Sequence, residues 1–194
     1  LTVNALLLGY YGAHNLGDDM MLHSLLPWLK KRQINVTVIS ENPAETTRRF
    51  NVNSIRNAPI LGEWGWYEYW FRNKHALHLI RAIRGSDALI VGGGDLIRDD
   101  QGWRTFLYTI EKLIFAVLFK RSIYIVNIGI SSPKTWYGNC VLKKLLLKCT
   151  QIIARDKRTY DVCIKLGCQK EKLHLLPDIA LTIAADEKLT DDID

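Results

Sequence analysis

Two carboxylates, Asp18 and Asp19, follow a glycine-rich stretch in which Gly9, Gly12 and Gly17 surround His14 and Asn15. The apolar run before it (Val3, Ala5 to Leu8) and the apolar-periodic segment after it mark a strand, a turn and a helix start. Such a turn sets backbone N–H groups and a helix N-terminus at a sheet edge, where anionic substrates are commonly held. Asp18 can hold a substrate hydroxyl, act as a general base, or serve the helix as its N-cap or a first-turn acid. His14, inside the loop, can shuttle protons. A second stretch, GGGDLIRD over residues 92–99, places Asp99 after another glycine loop in a polar run. Asp99 is the better candidate base for an acceptor hydroxyl, its alternative being the cap of a helix after residue 102. Arg155 can pair bidentately with a phosphate or carboxylate, or be held in an ion pair by Asp156 or Asp178. The candidate substrate contacts are Gly12, Asn15, Gly17, Gly92, Gly93, Gly94, Asp95, Arg98, Ser131, Arg155, Asp156 and Asp178. The glycines either admit a ligand to the backbone or permit tight turns.

Two better-known phosphate motifs come near the first loop, and neither matches. Gly12 and Gly17 have the glycine spacing of a P-loop, but Asp18 and Asp19 stand where Lys and Ser/Thr belong. Two carboxylates there repel a triphosphate, which excludes a P-loop nucleoside triphosphatase. The spacing of Gly9, Gly12 and Gly17 is also wrong for the dinucleotide G-x-G-x-x-G. Glu41, just after the second strand, keeps a ribose-binding alternative open.

The elements that must position these groups alternate along the chain. Strands are expected near 3–8, at Val36 to Ser40, near Val52 to Ile55, at Ala88 to Val91, Ser122 to Asn127 and Gln151 to Ala154, with a last short one at Lys172 to Leu176. Helices are expected near 18–32, from about Trp66 to Arg84, over roughly 103–119 and about 134–148, and up to Gly167. Pro27 predicts a kink or break in the first of them. Short, apolar strands alternating with helices give an α/β, doubly wound, mostly parallel Rossmann-like sheet. In the strand order 3-2-1-4-5-6 the loops after strands 1 and 4 meet at the switch point, and those after strands 5 and 6 open on the same edge. Gly9 to Asp18, Gly92 to Asp99, Gly129 to Ser132 and Arg155–Asp156 then converge on one crevice.

The 194 residues suffice for one sizeable domain, with no linker before an acidic tail at 186–194. That tail carries five acids and one Lys, so residues 1–185 carry 25 basic and 15 acidic side chains. A basic body suits an anionic small molecule, an anionic membrane face or nucleic acid, and no nucleic-acid motif supports the last. Phe106 to Phe119 contains Glu111 and Lys112 and is too short to span a bilayer; it reads as a buried helix. No signal peptide is visible. Cys140, Cys149, Cys163 and Cys168 fit no zinc spacing and read as free thiols of a reducing, cytoplasmic compartment. The aromatic block Trp64, Trp66, Tyr67, Tyr69, Trp70 and Phe71, followed by basic residues, suits either a packed helix or a membrane–water interface reached through Trp66 and Trp70.

Taken in order, GYYGAHNLGDDMML, GGGDLIRD, IGIS (128–131), ARDKRT (154–159) and LPDIAL (176–181) resemble the polysaccharide pyruvyl transferase family. The resemblance runs over nearly the whole chain. Arg155 and Asp156 match its Ala-Arg-Asp motif and Asp178 its Pro-Asp motif, with Thr159 where Ser is usual. It implies transfer of enolpyruvate from phosphoenolpyruvate to a sugar of a cell-surface polysaccharide or its lipid-linked precursor, at the inner face of the membrane. It also implies the N-terminal half of a two-domain GT-B type fold, over residues 1–185, with a C-terminal domain beyond the tail and little activity from this half alone. The chemistry requires no metal and no cofactor. The alternatives are a GT-B type glycosyltransferase domain using a nucleotide sugar, and a non-catalytic docking module.

Overall fold

The computed structural model describes residues 2–60, 74–94, 96–97 and 103–177. Seven parallel strands form one sheet in the order β3-β2-β1-β4-β5-β6-β7. They are β1 (Val3–Tyr11), β2 (Ile34–Ser40), β3 (Asn53–Arg56), β4 (Ala88–Gly92), β5 (Ser122–Ile128), β6 (Gln151–Ala154) and β7 (Leu173–Leu175). The described helices are α1 (Leu16–Lys31), α2 (Pro43–Phe50), α3 (Lys74–Gly85), α4 (Trp103–Leu118), α5 (Trp136–Lys148) and α6 (Lys157–Lys165). The expected doubly wound order is present, with β7 added beyond β6.

Strand parity sorts the core into two layers. Leu6 and Leu8 of β1 join Leu79 and Ile83 of α3, Ile110 and Leu113 of α4, Leu142 of α5 and Val162 of α6. Ala5, Leu7 and Tyr11 point the other way, onto Leu22, Leu25 and Leu29 of α1. All five residues of β4 are buried, as a strand covered on both faces requires. Each fully buried Leu or Ile here contributes about 1.5–3 kcal/mol. Three buried cysteines, Cys149, Cys163 and Cys168, act as small apolar members of the first layer, and all four thiols are free.

Three local expectations are corrected. The first helix begins at Leu16 and is capped by Asn15, whose Oδ1 accepts from the Gly17 N–H at 3.1 Å, so Asp18 is not its cap. The helix runs unbroken through Pro27. Pro27 is on the exposed side, where water can serve the freed carbonyl, while Met21, Leu22, Leu25 and Leu29 hold the opposite face. A helix absent from the sequence reading, α2, fills the β2–β3 connection. Its start is Asn42-Pro43-Ala44-Glu45, with Pro at the first helical turn and the Asn42 side chain accepting from the Glu45 N–H. The helix expected from Trp66 is described from Lys74 onward; the aromatic block lies outside the described residues.

Candidate functional site

The switch point falls between β1 and β4, and the two glycine loops meet there. Tyr11, fully buried at the end of β1, donates its hydroxyl to the Gly92 carbonyl at 2.6 Å. Burial, reinforced by the charge of Asp18, pushes the Tyr11 hydroxyl well above the ordinary phenol range, so it stays a donor. Gly9 leaves the space that the Tyr11 ring fills. Beyond β4 the chain turns through Gly93 and Gly94 at φ +86° and +68°, a conformation that favours glycine. A Cβ on Gly94 would sit 2.9 Å from Asp18 Oδ1, so the carboxylate lies directly on this backbone turn.

The neighbouring loops are stitched to the same place. The Gly129 N–H donates to the Gly94 carbonyl at 3.0 Å, and Ile97 bridges Ile130 in parallel. The half-buried Ser131 donates its N–H to the Ile97 carbonyl at 3.4 Å. The Ile130 N–H donates to Oγ1 of buried Thr159 at 3.2 Å. Asp156 caps α6, its Oδ1 accepting from the Thr159 N–H at 2.7 Å, and its Oδ2 accepts from Arg155 Nε at 3.4 Å. Burial pushes the Asp156 carboxyl up, but the Thr159 hydrogen bonds and the Arg155 charge outweigh it and leave it below the usual range.

Asp18 and Asp19 are adjacent, both buried, and differently used. Asp19 Oδ2 accepts from Arg49 Nη1 of α2 at 2.6 Å. Arg49 also lies 3.8 Å from Glu45, which in turn lies 3.8 Å from Nε2 of the largely exposed His14. Among the described residues no hydrogen bond to the Asp18 carboxylate is present. Burial raises its proton affinity, the charge of Asp19 raises it further, and Arg155 opposes both. The result is a carboxylate at a backbone turn, within the field of a guanidinium, with its proton affinity raised.

Asp18, Gly93, Gly94, Ser131, Arg155 and Asp156 are therefore brought to one sheet edge. Gly12 serves packing: a Cβ there would meet Ser40 Oγ at 2.3 Å and the Asn42 nitrogen at 2.9 Å. Gly92 is packed against Leu25, Leu7 and Tyr11, while Gly17 and Asn15 form the exposed first turn of α1. Asp95, Arg98, Asp99 and Asp178 lie outside the described residues. Glu41 is occupied: its Oε1 accepts from Asn57 Nδ2 at 3.0 Å and from the Tyr108 hydroxyl at 2.7 Å.

Sequence reasoning missed Arg49 and Asn127. The start signal of α2 would have placed Arg49 on a helix; its reach across 30 positions to Asp19 leaves no local trace. Asn127 interrupts the β5–β6 register at φ +55° and donates from Nδ2 to the Pro177 carbonyl at 3.0 Å, tying the exit of β7 to the same edge. An Asn near the end of an apolar strand is the signal for such a bulge.

The family model of the polysaccharide pyruvyl transferases matches residues 15–192. The chain belongs to that family. A comparison with curated proteins finds no match. Among solved structures it is similar to Anabaena Alr3699/HepE in complex with UDP and glucose, at a TM-score of 0.54 and 11% identity, over 91% of this chain and 44% of that one. It is also similar to UDP-N-acetylglucosamine 2-epimerase from Rickettsia bellii (0.59, 10%, 98% and 48%) and to S. aureus MnaA with UDP (0.56, 10%, 94% and 46%). These likenesses show the fold: a Rossmann-like α/β unit of the GT-B type. The chain spans a little under half the length of each of these three structures. Among the described residues no helix is long and apolar enough to cross a membrane.

Proposed function

We propose that this chain forms one wall of the site in which a polysaccharide pyruvyl transferase moves enolpyruvate from phosphoenolpyruvate to a sugar. The observation that carries the reading is the family match over residues 15–192. The placement of Asp18 on the Gly93–Gly94 turn supports it. The reaction needs a base for the attacking sugar hydroxyl, an acid that protonates the methylene carbon, and cations for phosphate and carboxylate. The sugar oxygen bonds to the central carbon as the methylene takes a proton; phosphate then leaves, and a second hydroxyl closes the ketal.

Asp18 is the described group suited to the base, because burial and Asp19 raise its proton affinity. Asp99 is the second candidate. Arg155 supplies positive charge at the same edge. His14, exposed beside Glu45, suits proton exchange at the rim. The first loop shapes the acceptor pocket better than it grips the donor phosphate, since two carboxylates face it. A second domain would close the crevice and add the remaining cations.

The test is phosphate release from phosphoenolpyruvate, with pyruvylatable glycans as acceptors, by a protein carrying both halves. Acceptor-dependent release is expected. Activity only with a nucleotide sugar would overturn the reading in favour of a glycosyltransferase, a class favoured by the UDP and UDP-glucose complexes of HepE.

A further inference from the structure

The outer faces of α4 and α5 carry apolar surface that no described element covers. Half-buried Leu107 and Ile114 of α4 and Tyr137 and Val141 of α5 wall a groove of about 500 Å³ whose floor is buried Phe106 and Ile110. Beside it Trp136 is 80% exposed, Leu118 65% and Leu147 43%. Trp136, Cys140 and Leu147 fall on one solvent-facing stripe of α5, and Lys143 and Lys144 flank it. Charge sets the partner. From Lys120 to Lys148 the chain has six basic residues and no acid. Lys134, Lys143, Lys144 and Lys148 are exposed around the apolar stripe. Trp and Leu on a helix face bordered by lysines is the pattern of a surface that lies in a membrane interface.

We infer that the α4–α5 face docks on an anionic phospholipid bilayer, with Trp136 and Leu147 entering the headgroup boundary and Lys143 and Lys144 on the lipid phosphates. The surface differs from the Trp66 and Trp70 block and does not rest on pyruvyl transfer. Trp136 starts α5, so it stands at the sheet edge where the glycine loops open.

The test is flotation of the chain with vesicles of phosphatidylcholine, with and without phosphatidylglycerol. Binding is expected only with phosphatidylglycerol and weakens as salt rises. Trp136→Ala lowers affinity about tenfold. Lys143→Gln with Lys144→Gln lowers it about twenty-five-fold, since each lysine near such a surface contributes about fivefold. All three side chains are exposed, so unchanged far-ultraviolet circular dichroism checks the fold of each variant. No flotation, equal flotation on both vesicles, or flotation unchanged in the variants would overturn the inference. So would a vesicle-free dimer lost in Trp136→Ala, or capture of a single-stranded oligonucleotide in place of the vesicles.

Discussion

Two polar clusters occupy the same edge of the sheet, and they are built on opposite rules. Around Glu41, charges are consumed by protein partners. Glu41 takes hydrogen bonds from Asn57 and Tyr108. Buried Glu111 accepts from the Ile60 N–H at 2.8 Å and from Lys112 Nζ at 2.6 Å, and Lys112 also donates to the Tyr108 carbonyl at 2.5 Å. Around Asp18, Arg49 of α2 is bonded to the neighbouring Asp19, and Asp18 lies against a backbone turn. A buried acid with its donors supplied is architecture; a buried acid denied them raises its own proton affinity and is available for chemistry. If this distinction holds, removing a charge should affect stability in one cluster and turnover in the other.

The largest separation is expected from Asp18→Asn. Loss of a general base lowers turnover by about 10²–10⁴-fold. Stability moves the other way. The native state binds the Asp18 proton more tightly than the unfolded chain, whose carboxyl has its ordinary value near 3.8. The contribution of Asp18 is therefore full below that value and is lost as pH rises through the raised native one. At neutral pH the ionised Asp18 works against the fold, so the Asn variant should equal or exceed the parent in urea unfolding. A variant that loses activity together with stability would place Asp18 in the architectural class.

The converse is Lys112→Met. The variant leaves Glu111 buried without its cation, at a cost of about 3–5 kcal/mol in urea unfolding. Adding Glu111→Gln removes the orphaned charge but keeps an acceptor for the Ile60 N–H, and should recover a large part of the loss. Burial lowers the Lys112 proton affinity, while Glu111 and, after it, Glu41 oppose that, so the ammonium depends first on the carboxylate it touches. Turnover by the folded fraction should be unchanged.

The contrast between the clusters also explains what the sequence could show. The strand order 3-2-1-4-5-6 came with the doubly wound class that short apolar strands alternating with helices imply, and Leu6 and Leu8 against Ala5 and Leu7 are buried on both faces, as that class requires. The convergence of the 9–18 and 92–94 loops followed from that order. The helix α2 was hidden because only Thr46 of its eight residues is buried, leaving no apolar period to read. With α2 hidden, the Arg49–Asp19 pair could not be foreseen, nor could the unequal use of two adjacent aspartates. Glu111 and Lys112 showed that their helix does not span a bilayer, but the Ile60 N–H that also serves Glu111 comes from 51 positions away. Local pattern reports which elements exist. The assignment of donors to acids is a long-range property.

The smallest effect is expected at Arg49 and bears most directly on that assignment. Arg49 is partly exposed, so solvent screens its pairing, and Arg49→Gln should lower stability by about 1 kcal/mol. Its effect on the pH profile is more informative. Without the guanidinium the Asp19 carboxylate has lost its neutralising partner, and its field holds the Asp18 proton more firmly. A base must be ionised to act, so the acid limb of turnover should move to higher pH, with the plateau little changed. Arg49→Lys should restore the limb by returning the charge. Tyr108→Phe, which removes a donor from Glu41 in the other cluster, should leave the limb where it was. A limb that follows Tyr108 as readily as Arg49 would mean that the two clusters titrate as one network. The division between acids supplied with donors and acids denied them would then no longer separate structure from catalysis at this edge.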